Sequence, residues 1–411
     1  MNQMGSVPSH PPPGPPQPVA VSFSGERSEF RRLVMRGALL ELVTVGFYRF
    51  WLATDIRRHF WSYTSVDSDA AEYTGRGREL LIGFLFALAI LVPVYLAYFI
   101  VGLEVERFKA FASFPLFLFF YLFGQFAIYR ARRYRLTRTV WRGVRFWMSG
   151  SGWAYAARAA LWGVLMLLTL GLVLPWREAA LERYKMRHCY YGDLQGSFEG
   201  RGWAFFKRGW WLWLVAIAPL IMLLIILPLS KSVPMLLPRA DRIAPIAALF
   251  ILLAAPFIYG LFKAIEWRWW LSGIRFGDVQ FESTLLRGAL VGLYWKAIGW
   301  FLLLVVLFSA YLFACAGLIA GISHVPTAKS FTAASLQGSV PMVVLAVIGY
   351  LAFVLALNVV LRVYLLRDVW ARVVASATVY HIEAVANVSA RGDLANALGE
   401  GFADGLDVAG F

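Results

Sequence analysis

The chain has 411 residues, of which 60% are hydrophobic, 16% aromatic and 15% charged, and its formal net charge is +15. A soluble domain carries about 25% charged residues, so this composition indicates a membrane protein. The hydrophobic runs are continuous rather than alternating, which excludes a membrane-spanning barrel of strands. The two cysteines and five histidines show no disulfide, metal or nucleophile pattern. We therefore expect no cofactor, no metal and no catalytic residue, and we do not expect an enzyme.

The two ends of the chain differ in composition from the middle. The first 20 residues are rich in proline and lack the apolar stretch of a signal peptide. Proline-rich segments of this kind do not bury enough apolar surface to fold. We expect a disordered tail over 1–20, a membrane domain over 21–395 and a C-terminal tail over 396–411.

Six hydrophobic runs approach or exceed the ~18–20 residues that cross the hydrocarbon core of a bilayer. They cover 80–103, 111–129, 210–229, 243–262, 297–322 and 340–361. Two further segments, 34–51 and 153–176, are hydrophobic but contain charged residues, and each predicts a re-entrant segment, an interfacial helix or a full span. The sequence therefore predicts an all-α, polytopic membrane protein with six transmembrane helices, or up to eight.

Lysine and arginine are concentrated in alternate loops. Five stretches hold 24 of these residues, whereas the three short loops between spans hold only 6. The basic stretches are 53–78, 131–152, 177–208, 263–288 and 367–411. Positively charged loops resist translocation, so we expect all five on the cytoplasmic side of a bacterial inner membrane, close to anionic phospholipids. Arginines and aromatic residues interleave in 131–152, which we interpret as an interfacial belt rather than a nucleic-acid site.

An internal repeat is indicated when the chain is compared with itself at a shift of 125 residues, without gaps. The matching pairs are Thr44 and Thr169, Gly46 and Gly171, Trp51 and Trp176, Arg58 and Arg183, Tyr73 and Phe198, Gly75 and Gly200, and Gly77 and Gly202. A third copy places Arg133, Gly150 and Gly152 at the same spacings. We interpret the unit as a helix, an arginine-aromatic stretch, and a short extended or hairpin segment that ends in glycines. Glycine suits that end because it allows close backbone approach at the start of the next helix.

Three stretches of the N-terminal part carry a family resemblance. They read FSGERSEF from residue 23, LVTVGFYRFW from residue 42, and an arginine-rich stretch that ends in YTGRGREL. Together they resemble the bacterial YjgN-like inner-membrane family, a domain family of unknown function. The positions that match are Phe23, Gly25, Thr44, Gly46, Tyr48, Trp51 and Arg58. The resemblance implies a polytopic membrane protein and implies no particular activity.

Ionisable residues at membrane depth are costly and are therefore candidates for function. We select Glu41 and Lys296 as a possible polar pathway. Arg36, Arg158 and Arg362 lie near segment ends, from which a long side chain can extend to the interface.

The best-supported function from the sequence is a transporter or channel-like protein, because repeats, re-entrant segments and buried charges occur together in transporters. The spans contain few polar residues, which favours a lipid, an apolar solute or an anion as substrate. The alternative is a non-catalytic scaffold or regulatory protein whose basic cytoplasmic turns bind anionic lipid or a partner. The sequence leaves the oligomeric state and any protein partner open.

Overall fold

The computed structural model describes residues 17–104, 109–232, 240–322, 340–392 and 394–395. The predicted tail 396–411 and most of the predicted tail 1–20 lie outside these residues. Within them, the helices are α1 Arg27–Val43, α2 Arg49–Ser62, α3 Gly77–Glu104, α4 Lys109–Thr137, α5 Gly152–Leu168, α6 Leu174–Arg187, α7 Gly202–Ser232, α8 Ala240–Gly273, α9 Val291–Ile322 and α10 Val340–Ala375. The strands are β1 Val19–Phe23, β2 Thr64–Val66, β3 Asp69–Ala70, β4 Glu72–Tyr73, β5 Thr139–Trp141, β6 Val144–Met148, β7 Cys189–Tyr191, β8 Leu194–Phe198, β9 Ile274–Phe276, β10 Val279–Ser283 and β11 Ala377–Tyr380.

These strands form one antiparallel sheet in the order β3-β2-β1-β11-β10-β9-β8-β7-β6-β5-β4. The N-terminal strand β1 lies between β2 and β11, with Val19 opposite Val379. The edge strands β3 and β4 are separated along the chain only by Ala71. The sheet therefore curves until its two edges nearly meet. Across this gap, the indole nitrogen of Trp141 donates a hydrogen bond of 3.1 Å to the carbonyl oxygen of Asp69.

The prediction of an all-α fold is wrong because of this sheet. Each strand has only two to five residues, which is too short for the alternation of apolar and polar residues to be recognised in the sequence. The short extended segments that the sequence predicted are present, but they pair into one sheet that includes strands from distant parts of the chain. Such pairing between distant parts of the chain has no local sequence signal.

Every helical hairpin begins and ends at this sheet. The α1–α2 hairpin connects β1 to β2, and α3–α4 connects β4 to β5. The α5–α6, α7–α8 and α9–α10 pairs connect β6 to β7, β8 to β9 and β10 to β11. As a result, the described parts of all five basic stretches lie at the same end of the molecule.

Four described helical segments are long and apolar enough to cross a membrane. They are Gly77–Ile100, Phe114–Thr137, Val291–Ile319 and Val340–Ala375. Helices of this kind indicate a membrane protein. The prediction of six spans is corrected to four in the described part of the chain. The other two predicted spans, 210–229 and 243–262, lie in α7 and α8, where many side chains fall outside the described residues.

The two short hairpins explain the ambiguous segments 34–51 and 153–176. In each, the chain reverses after a helix of 17 residues, which is about 25 Å long and shorter than the hydrocarbon core. The reversal uses Gly46 at φ +88° in one hairpin and Gly171 at φ +85° in the other. Neither segment is one continuous helix, so the alternative of eight spans is wrong.

The tips of these short hairpins expose large apolar side chains. Val45 at the first tip is 86% exposed, and Leu167 at the second is 78% exposed. Exposed aliphatic side chains in such numbers are costly in water and stable in hydrocarbon. This composition is suited to a hairpin that enters the bilayer and returns to the same side.

Candidate functional site

The aligned motif residues make the same contacts in both segments. The Nη2 atom of Arg58 donates a hydrogen bond of 2.8 Å to the carbonyl oxygen of Gly75. The Nη2 atom of Arg183 donates one of 3.3 Å to the carbonyl oxygen of Gly200. Each arginine thereby ties the end of a short hairpin to the turn that precedes the next long helix.

The glycines that follow these turns let two helices approach closely. A Cβ atom added to Gly77 would lie 2.8 Å from the α-carbon of Trp51, and one added to Gly202 would lie 2.9 Å from the α-carbon of Trp176. Both distances are too short for non-bonded carbon atoms. These positions therefore require glycine for packing.

The two threonines stabilise the hairpin reversals in the same way. The Oγ1 atom of Thr44 donates to the carbonyl oxygen of Leu40 and accepts a hydrogen bond from the backbone of Tyr48. The Oγ1 atom of Thr169 donates to the carbonyl oxygen of Leu165 and accepts one from the backbone of Val173.

The remaining motif residues are also structural in their contacts. The glycines Gly75, Gly200 and Gly25 each lie against the ring two residues earlier, which is Tyr73, Phe198 and Phe23 respectively. In the predicted third copy, Gly150 has φ +82°, Gly152 packs against Phe126, and Arg133 lies in α4. An arginine of α10, Arg367, donates to the carbonyl oxygen of Gly25 at 2.5 Å, so an arginine-to-glycine contact also links the two ends of the chain.

The two proposed pathway residues both contact a π-helical turn in α10, at Leu361–Leu366. Such turns are rare and frequently occur at functional sites. The Oε2 atom of Glu41 lies 3.6 Å from Nη1 of Arg362. The Nζ atom of Lys296 lies 4.7 Å from the ring centroid of Tyr364. The two residues therefore approach neighbouring positions of one turn, but the cavities described below are lined by other residues.

Loss of the Glu41 carboxylate is expected to destabilise the protein. The side chains of Arg362 and Glu41 are only 20% and 23% exposed, so Glu41→Gln leaves a largely buried guanidinium without its counter-ion, at a cost of about 2 kcal/mol. The measurement is the thermal-unfolding midpoint in detergent, with the exchange Glu41→Arg plus Arg362→Glu as the variant that restores it. A wild-type midpoint for Glu41→Gln would contradict a stabilising role for the pair.

An apolar cavity of about 910 Å³ lies among α5 to α10. Along α7 it extends from Phe205 to Pro219, which is about 21 Å of helix axis. None of the described residues that line it is charged, and its polar groups are the hydroxyls of Tyr259 and Tyr294 and the indole nitrogens of two tryptophans. The cavity is a cleft rather than a sealed chamber, and its small lining residues include the exposed Ala216. The cavity is suited to a hydrocarbon chain.

Each short hairpin also holds a polar pocket between its two helices. The α1–α2 pocket has a volume of about 980 Å³, and its charged and titratable lining residues are Glu29, Arg32, Arg36, Tyr48, Asp55, Arg58, His59 and Tyr63. The α5–α6 pocket has a volume of about 310 Å³ and is lined by Arg158, Trp162, Ala180, Arg183, Tyr184 and Arg187. The two pockets occupy aligned positions of the two hairpins, but only the first contains carboxylates.

A buried ion cluster joins α4 to α6 on another side of this hairpin. Glu182 is 6% exposed and accepts a hydrogen bond of 3.0 Å from Nη1 of Arg132. It also forms an ion pair with Lys185. Burial raises the pKa of Glu182, but Arg132 and Lys185 outweigh it and lower the pKa to about 2. The carboxylate therefore stays ionised and fixes the base of the hairpin.

The sequence alone does not indicate the apolar cavity, the α5–α6 pocket or the Glu182 cluster. The sequence holds one partial signal of the α5–α6 pocket. Arg183 and Arg187 are four residues apart on α6, and Arg158 belongs to the preceding helix. Four-residue spacing places two side chains on one helix face. It does not show which other helix faces them.

A family model described as "Bacterial protein of unknown function (DUF898)" matches residues 18–299. No curated protein and no solved structure matches the chain. The matched residues cover β1 to the first part of α9 and include both short hairpins and both copies of the Gly-Arg-Gly turn. The resemblance to a bacterial domain family of unknown function is thus confirmed, and the chain belongs to the DUF898 family.

Proposed function

We propose that the protein is a non-enzymatic transporter of a lipid or another apolar amphiphile, and that the apolar cavity is its substrate site. The observation that carries the proposal is the uncharged lining of a cleft of about 910 Å³ among helices that include α9 and α10, both of which are long and apolar enough to cross a membrane. One leaflet contributes about 15 Å of hydrocarbon. A cleft that follows about 21 Å of α7 has room for an acyl chain of one leaflet.

We also propose that the sheet lies in the cytoplasm of a bacterium and that the helical hairpins enter the inner membrane from that side. The support is the concentration of 24 lysines and arginines in the stretches that end at the sheet. Positive charge of this kind is typical of cytoplasmic loops. The cleft would then open to the cytoplasmic leaflet.

An internal repeat is part of this proposal. The arginine-to-glycine contacts, the threonine contacts and the glycine packing recur in the two aligned segments. Transporters are commonly built from repeated units, with the substrate site where the units meet. The cavity fits this pattern because its walls come from three helical hairpins.

The test fills the cavity with a larger side chain. Ala216→Trp and Ala255→Trp place an indole among the lining residues, whereas the control Ala89→Trp places one on an exposed position of α3 outside the cavity. The indole occupies part of the cleft that an acyl chain would fill, so we expect about a tenfold slower transfer of a fluorescent phospholipid in proteoliposomes, which corresponds to a loss of about 1.4 kcal/mol. The control variant should keep the wild-type rate.

The scaffold alternative makes the opposite prediction. If the wild-type protein transfers lipid no faster than protein-free liposomes do, the transport proposal is overturned. If the protein nevertheless binds the lipid, a scaffold or regulatory protein that holds lipid is supported instead. Equal rates in the cavity variants and the control would overturn the assignment of the cavity as the site.

A further inference from the structure

The α5–α6 pocket concentrates positive charge without neutralisation. Three of its six lining residues are arginines, and none of the described lining residues is acidic. In the aligned α1–α2 pocket, Glu29 and Asp55 line the same space as the arginines, and Asp55 lies 3.7 Å from Arg58. The nearby Glu182 is engaged by Arg132 and Lys185. The α5–α6 pocket is therefore the stronger attractor for an anion.

The three guanidinium groups retain donors for a ligand. The Nη1 atom of Arg158 donates one hydrogen bond to the carbonyl oxygen of Ala154, and the group stacks on Tyr184 at 4.5 Å. Arg183 donates to the carbonyl oxygen of Gly200. Arg187 is exposed, and its guanidinium has no carboxylate or carbonyl partner in the described part of the chain. Each guanidinium has five N–H donors in a geometry that matches phosphate oxygens.

A stripe on α5 connects this pocket to the apolar cavity. Arg158, Trp162 and Met166 follow one another at intervals of four residues, so they lie along one helix face. Arg158 and Trp162 line the α5–α6 pocket, and Met166 lines the apolar cavity. The distance along the axis from Arg158 to Met166 is about 12 Å. Tryptophan is enriched at headgroup depth.

We propose that the α5–α6 pocket binds the phosphate of an anionic phospholipid whose acyl chain lies in the apolar cavity. This inference rests on the proposed function and specifies the substrate class. The order along α5, from arginine through tryptophan to an apolar wall, matches the order of phosphate, interface and acyl chain in a phospholipid. An uncharged or anionic headgroup fits a pocket that offers no carboxylate to a choline or ethanolamine cation.

The test measures binding of phosphatidylglycerol and phosphatidylcholine to the detergent-solubilised full-length protein by native mass spectrometry. The wild-type protein should prefer phosphatidylglycerol. Arg187→Gln and Arg183→Gln should each reduce that preference by about tenfold, because a hydrogen bond from a charged donor is lost. The matched control is Arg58→Gln, which removes the equivalent glycine contact in the other hairpin and should leave the preference unchanged.

The outcomes separate this inference from the proposed function. If both lipids bind equally to the wild-type protein and only the cavity variants weaken them, the headgroup site is overturned and the cavity proposal stands. If neither lipid binds, both are overturned. Glycerol 3-phosphate and inorganic phosphate test the source of the phosphate. If they bind as tightly as phosphatidylglycerol, the site serves a soluble phosphate and the lipid assignment is overturned.

Discussion

Replacing Glu182 by glutamine is expected to lower the stability of the protein more than Glu41→Gln or Glu199→Gln does. Glu182 is 6% exposed and lies between the cations of Arg132 and Lys185. Glutamine keeps the shape but leaves two cations without a counter-ion. Breaking a buried ion pair in this way costs about 3–5 kcal/mol. The thermal-unfolding midpoint in detergent should fall accordingly.

The same carboxylate makes stability depend on pH in a defined window. Although burial raises the pKa of Glu182, Arg132 and Lys185 lower it from 4.5 to about 2 in the folded protein. The contribution is therefore fully present above the unfolded pKa and is lost as the pH falls from about 4.5 towards 2. The wild-type midpoint should drop over this range, and the Glu182→Gln midpoint should drop less.

The control for both measurements is Glu199→Gln. Glu199 also pairs with an arginine, Arg275, at 3.2 Å, but its side chain is 66% exposed. Exposed pairs contribute about 0–1 kcal/mol, so this variant should stay close to the wild type. Equal effects at Glu182 and Glu199 would contradict the buried cluster as the source of the stability.

Single cysteines at Ser151 and Asp193 are expected to show the same labelling behaviour. Ser151 precedes α5, and Asp193 lies between β7 and β8, so both are exposed positions at the sheet on either side of the α5–α6 hairpin. In intact cells, an impermeant maleimide should label neither cysteine if the sheet is cytoplasmic. After the membrane is opened, it should label both. The effect is close to all-or-none.

The native cysteines give little background in this experiment. Cys189 and Cys315 are both buried, and burial raises the pKa of the Cys189 thiol to about 11, which suppresses the reactive thiolate. They are replaced by alanine as a further safeguard. Labelling of one introduced cysteine but not the other in intact cells would mean that the α5–α6 segment crosses the membrane, which contradicts the hairpin.

The apolar runs of the sequence were sufficient to predict the long helices. Continuous apolar runs predicted the helices that contain the four spans, because length and composition alone decide whether a helix can cross a membrane. Gly77 and Gly202 are predicted at helix starts and are the first residues of α3 and α7. The backbone of a tryptophan packs against each glycine and leaves no room for a side chain.

The sheet could not be predicted from local patterns. Its strands contain at most five residues, and β1 pairs with β11 through Val19 and Val379, which are separated by nearly the whole chain. No periodicity within either strand identifies the other. The predicted repeat includes a short extended or hairpin segment, but it gives no indication that these segments join edge to edge in one sheet.

The candidate site was hidden for a related reason. The apolar cavity has walls from six helices. Most of its lining residues are apolar, and residues of the same types also face lipid. The sequence places Arg158 near the end of a hydrophobic segment but does not indicate that it lines a pocket with Arg183 and Arg187. The relative orientation of helices, which brings these groups together, is not encoded in the spacing of one segment.

The position of β1 between β2 and β11 has a consequence for how the chain is made. Val19 leaves the ribosome 360 residues before its partner Val379. At about 5–20 residues per second, this interval is roughly 20 to 70 s. The helical hairpins between these two strands can enter the bilayer one after another during that time, but β1 gains β11 as its neighbour only after residue 379 has been made. Of the described strands, β1 is made first, but it is paired on both sides only after β11 has been made.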